Sequence, residues 1–146
     1  MSRVDLETVQ RLGSAANDDP EFGLAARFWT TVLRFDIGDD TFLIHVGDGR
    51  VTWVDEPVGP AKRRSASSIV VAAPAGEWDE LLSLVPRPFY QDLWGATNHH
   101  GFEVLGDLEE FSQYYRAISR MLELLRVIVD GDHRCGEPGG RADGPV

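Results

Sequence analysis

Residues 29–54 read WTTVLRFDIGDDTFLIHVGDGRVTWV, and this stretch decides the fold. Trp29, Thr31, Leu33, Phe35 and Ile37 fall at every second position, the period of a strand, and Trp29, Leu33, Phe35 and Ile37 give it one buried face. Gly38-Asp39-Asp40 then turns the chain. Thr41 to Val46 is a second strand with Phe42, Ile44 and Val46 inward, and Leu43 and His45 outward. Gly47-Asp48-Gly49 is a hairpin signal, because glycine and aspartate tolerate the positive φ of tight turns. Arg50 to Val54 returns as a third strand, with Val51 and Trp53 expected inward. Three strands joined by two short turns form an antiparallel meander.

Upstream, Asp5 to Asn17 has an apolar stripe of Leu6, Val9 and Leu12, with Val4 just before it, and reads as a helix across the sheet edge or a pocket mouth. Asn17-Asp18-Asp19-Pro20 breaks it. Downstream, Glu56 to Ala66 is a long loop carrying Lys62-Arg63-Arg64, and Ser67 to Ala73 is a fourth strand. Trp78, Leu81, Leu82 and Val85 predict a helix over 77–85, stopped by Pro86 and Pro88. Phe89 to Ala96 predicts another, Thr97 to Gly101 a loop, and Phe102 to Leu105 a fifth strand. Asp107 is positioned to cap a last helix, with Glu110 three residues on. Its apolar positions Leu108, Phe111, Tyr115, Ile118, Leu122, Leu125 and Val129 alternate spacings of three and four, predicting one continuous helix over the sheet.

The whole chain sets the outer limits. Its 146 residues suit one domain, expected over 1–130 with a flexible Gly/Pro-rich tail over 131–146. The formal charge of −10 argues against nucleic acid and anionic membrane surfaces as partners, since both would repel it. No apolar run approaches the roughly 18 residues that span a bilayer, so stable membrane insertion is not expected. Asp5 and Glu7 sit where a signal peptide would be uncharged, and the lone Cys135 fits a reducing compartment. A cytoplasmic protein is the expectation.

Catalytic and cofactor signatures are sparse. No glycine motif cradles a phosphate, and Ser65, Ser67 and Ser68 lie in no nucleophile elbow. His133 and Cys135 have no second pair with which to hold zinc, so neither a metal nor a cofactor is expected. Adjacent His99 and His100 are the candidates for acid–base chemistry, with Asp92 or Glu103 as candidate carboxylate partners. What remains is aromatic bulk, more than a five-stranded sheet obviously needs, and Pro-bounded aromatic helices suit the wall of an apolar pocket.

The order helix, meander, helix pair, short strand ending in Gly-Asp, long helix resembles the sterol carrier protein type-two family. The residues that carry the resemblance are Phe35-Asp36-Ile37-Gly38, Val46-Gly47-Asp48-Gly49-Arg50-Val51, Trp78-Asp79-Glu80-Leu81-Leu82-Ser83 and Phe102-Glu103-Val104-Leu105-Gly106-Asp107-Leu108. The resemblance implies an α+β domain whose five-stranded, mainly antiparallel sheet is covered on one face by helices, with an apolar pocket between. It implies a hydrophobic ligand, lipid-like or polycyclic, and supplies no catalytic residues. Carried onto this chain, the pocket walls would be Phe35, Phe42, Ile44, Trp53, Phe89, Leu93, Trp94, Tyr115 and Ile118. The alternatives are a small enzyme using His99 or His100 on such a ligand, and an accessory subunit that pairs with itself or with a partner enzyme.

Overall fold

A computed structural model describes residues 4–83, 88 and 92–136, with backbone alone for 132–136. Helix α1 spans Leu6–Asn17 and α2 spans Pro20–Ala25; strands β1 (Thr31–Ile37), β2 (Asp40–Gly47) and β3 (Arg50–Asp55) follow. Next come α3 (Pro60–Arg64), β4 (Ile69–Ala73), α4 (Ala75–Leu81), α5 (Leu93–His99), β5 (Glu103–Gly106), α6 (Leu108–Gln113) and α7 (Tyr115–Gly136). The sheet order is β3-β2-β1-β4-β5; every neighbouring pair is antiparallel except β1 with β4. The expected α+β architecture with a mainly antiparallel sheet is therefore what the chain forms.

The meander pairs as its alternation requires, with Leu33 opposite Ile44 and Phe35 opposite Phe42. These side chains face the helices and are fully buried. Trp78 of α4 lies on Phe35 with ring centroids 5.2 Å apart, and Phe102 meets Trp78 edge-on at 5.1 Å. The Trp78 indole N–H donates to the Asp36 carbonyl at 2.9 Å, so this large ring is buried without leaving its donor unpaired. On the other side of the core, Trp29 stacks on Tyr114 at 4.8 Å and donates its indole N–H to Glu110 Oε2 at 2.7 Å.

Helix α1 lies against β3 at the sheet margin and also packs on α7. Gly13 permits this approach: a Cβ there would stand 3.0 Å from a Val51 methyl. Asn17 then clamps the strand, its amide donating to the Val51 carbonyl and accepting from the Val51 N–H, both at 2.8 Å.

Several local expectations are corrected. Trp53 does not point inward; it is 57% exposed. The β2–β3 register slips between His45 and Val46, so Val46 faces Val51 but His45 faces Trp53. That bulge adds one residue to β3 and rotates Trp53 to the outer face, against His45 at 4.6 Å, while Val54 turns toward the core. The helix expected to begin at Phe89 is described only from Leu93, with Asp92 Oδ1 accepting from the Gly95 N–H at 2.7 Å as its cap. It continues through Thr97 and Asn98 to His99, where the sequence predicts a loop. The terminal helix is two helices, broken at Tyr114 (φ −109°, ψ 23°). Its second half runs to Gly136, six residues into the stretch expected to be tail; residues 137–146 lie outside the described residues. No helix among the described residues is long and apolar enough to cross a membrane.

Candidate functional site: an apolar groove at the sheet margin

Strand β5 is the outermost strand beyond β4, and α5 and α6 flank it in sequence. Between them lies a groove of about 550 Å3, lined by Trp94 and Thr97 of α5, Phe102 to Leu105 along the strand, and Leu108, Phe111 and Ser112 of α6. Phe102 and Phe111 are buried and form its floor; Trp94, Leu105 and Leu108 are 58%, 53% and 56% exposed around it. Scattered exposed apolar residues are ordinary, but three around one concavity form a patch.

Each wall is fixed by an identifiable local device. Asp92 caps α5 and sets where Trp94 emerges, and Thr97 Oγ1 donates to the Trp94 carbonyl at 2.8 Å. The Tyr115 hydroxyl accepts from the Trp94 N–H at 3.1 Å, and its ring meets the Trp94 indole edge-on at 6.5 Å. Tyr115 also packs on Phe111 at 5.5 Å, so one side chain braces both wall and floor. Asp107 caps α6 as expected, accepting from the Glu110 N–H at 2.9 Å. The Glu110 carboxylate does not return to the cap. It accepts from Trp29 instead, tying α6 to the start of the sheet.

The expected wall residues divide into three groups. Trp94 lines the groove, with Tyr115 behind it. Phe35, Phe42, Ile44, Leu93 and Ile118 are at most 1% exposed and belong to the closed core. Trp53 is on the outer sheet face, and Phe89 lies outside the described residues. Phe102, Leu105, Leu108 and Phe111 line the groove but are not among the expected wall residues. Their apolar character was visible in sequence, but their convergence depends on the corner between β5 and α6.

The histidines sit apart from this surface. His99 is exposed in the last turn of α5, and a ring nitrogen of His100 is 3.1 Å from the Pro88 carbonyl oxygen. Neither is among the lining residues of the groove. Among the described residues that line it, Glu103 on β5 is the one ionisable side chain.

No protein-family model and no curated protein matches the sequence. Solved structures do match the fold. A crystal structure of sterol carrier protein 2 superposes with a TM-score of 0.69 at 15% identity, covering 84% of this chain and 95% of that one. A conserved hypothetical protein from Thermus thermophilus gives 0.67 at 15% identity, over 85% and 87% of the two chains. The ubiquinone synthesis protein UbiJ-SCP2 gives 0.52 at 20% identity, over 81% and 96%. The chain thus has the sterol carrier protein 2 fold across most of its length.

Proposed function

We propose that this chain binds a hydrophobic small molecule in the groove formed by α5, β5 and α6. The observation that carries the reading is the grouping of Trp94, Leu105 and Leu108, each more than half exposed, around a floor of Phe102 and Phe111. A ligand that covered about 200 Å2 of this apolar surface would gain roughly 5 kcal/mol before the cost of immobilising it. That magnitude corresponds to a Kd of about 0.1 mM or weaker, which suits exchange better than permanent capture. The likeness in fold to sterol carrier protein 2 supports the same class of ligand. The fully buried Phe35, Phe42, Ile44 and Ile118 would then support the groove from beneath rather than touch the ligand.

N-phenyl-1-naphthylamine, a neutral apolar fluorophore, provides the test. Its fluorescence should rise and saturate with protein, and Trp94→Ala should weaken binding about tenfold, as expected for removing one large aromatic contact. Bound ligand should also shield Trp94 from acrylamide quenching. A signal that never saturates, or one indifferent to both Trp94→Ala and Leu108→Ser, would overturn the reading. A second copy of the chain, or a partner enzyme, is the competing occupant of this patch. Concentration-dependent sedimentation abolished by Leu108→Ser would favour it.

A further inference from the structure

We infer that the groove selects by charge, accepting neutral and cationic amphiphiles and rejecting carboxylates such as free fatty acids. The inference rests on the groove being the binding site and adds the class of head group it takes. Among the described residues, nine line the groove: six are apolar (Trp94, Phe102, Val104, Leu105, Leu108 and Phe111), two are hydroxyl residues and one is charged. The charged one is Glu103. Its carboxylate makes no hydrogen bond or ion pair with any described residue, so none of them neutralises it. No lysine or arginine lines the groove among the described residues.

The surroundings reinforce the same sign. Asp107 and Glu109 follow β5 at the corner into α6, and the chain as a whole carries −10. A carboxylate entering along the strand would meet Glu103, with no cation among the described lining residues to offset it. An ammonium or a hydrogen-bond donor would meet a free acceptor. The Thr97 hydroxyl is already donating to the Trp94 carbonyl, which leaves it able to accept and unable to offer that proton to an anion. Ser112 is the other lining hydroxyl and can donate or accept, so the bias toward donors on the ligand rests on Glu103 and Thr97.

The size of the effect is set by exposure. Glu103 is exposed, so water screens it, and an interaction of this kind changes affinity by about three- to tenfold rather than by orders of magnitude. Opposite shifts for cation and anion make the ratio between them larger than either alone.

Displacement of N-phenyl-1-naphthylamine by dodecylamine, dodecanol and dodecanoate near pH 7, each below its micelle concentration, reads the selection directly. The expected order is amine, then alcohol, then carboxylate, with amine and carboxylate differing by about tenfold or more in low salt. The gap should contract in about 1 M NaCl, where the Debye length falls to roughly 3 Å. Glu103→Gln should bring amine and carboxylate together, with dodecanol, which carries no charge, shifting less than either. Equal displacement by all three ligands would overturn charge selection and leave the binding site standing. An amine preference that survives Glu103→Gln would overturn the assignment to Glu103 and place it on the net charge. If the fluorophore itself does not bind, the proposed function falls rather than the selectivity.

Discussion

Asp19 and Arg120, 101 positions apart, form a two-pronged ion pair: Arg120 Nε donates to Asp19 Oδ2 and Nη2 to Oδ1, both at 2.9 Å. The same carboxylate caps α2, accepting the Phe22 N–H at 2.7 Å. One short side chain thus starts a helix and fastens it to α7. Parallel bonds to a guanidinium are the strong form of this contact, because fork and carboxylate match in plane and charge. Arg120 also meets Glu123 at 3.0 Å and Glu21 at 3.7 Å.

The pair predicts a specific response to acid. The hydrogen bonds from Arg120, above all, hold the Asp19 carboxyl below its ordinary value of 3.8. Its contribution to stability is therefore complete above that value and is lost as pH falls through the lower folded-state pKa. The substitution Asp19→Asn keeps a side chain that caps a helix but cannot form the charged fork. The variant should be less stable than the parent by about 1–3 kcal/mol near neutral pH. In urea melts the difference should shrink toward zero as pH is taken below 3.8. A difference that stayed constant across the acid range would show that the pair's charge contributes nothing.

Phe28 predicts a change in the opposite direction. It has φ of 70° and is 72% exposed, with the Arg27 guanidinium 4.7 Å over its ring. The turn that imposes this conformation is held by neighbours: Trp29 N–H donates to the Ala26 carbonyl at 2.9 Å, and Gly49 N–H to the Trp29 carbonyl at 2.8 Å. A left-handed backbone costs an L-residue about 1–2 kcal/mol, and an exposed cation–π contact returns only about 0.5–1 kcal/mol. Phe28→Gly should therefore stabilise the fold by about 0.5–1 kcal/mol, seen as a higher urea midpoint with an unchanged slope. A lower midpoint would mean that the ring supports the fold in a way its exposure conceals.

Much of this architecture is legible in the sequence, and the parts that are not share a cause. The meander is readable because alternation is local: each strand declares its own buried face. Trp53 is misread because the bulge is a property of β2 and β3 together, and one inserted residue reverses every side chain beyond it. The break at Tyr114 is invisible in an apolar repeat that continues across it. It coincides with a contact to Trp29, far upstream in the chain, whose ring stacks on Tyr114. Helix α2 does carry a local signal, Asp19 followed by Pro20 at the first helical position, which reads as a break when it marks a start. The aromatic excess is legible, and the pocket it suggests is expected between sheet and helices; there Trp78 and Trp29 help fill the core, while the groove lies at the sheet margin. Composition reports how much apolar surface a chain carries. It does not report which part stays uncovered.

Gly106 is where that uncovered part depends on a single residue. It ends β5 at φ of 101°, and Asp107 immediately after it caps α6, so the angle between the groove's strand and one of its walls is set there. A Cβ built at this position would lie 2.2 Å from the Ser68 carbonyl oxygen. That oxygen cannot easily withdraw, because it accepts the Asp107 N–H at 2.8 Å and so closes the corner against β4. Gly106→Ala combines an unfavourable backbone conformation with a clash between main-chain atoms, and should cost about 3 kcal/mol or more. The variant should unfold at markedly lower urea. Where it still folds, it should bind N-phenyl-1-naphthylamine more weakly, because relief of the clash must move β5 away from β4 or α6 away from β5. Gly106→Ala with an unchanged urea midpoint and unchanged fluorophore affinity would show that the corner is not fixed by this contact.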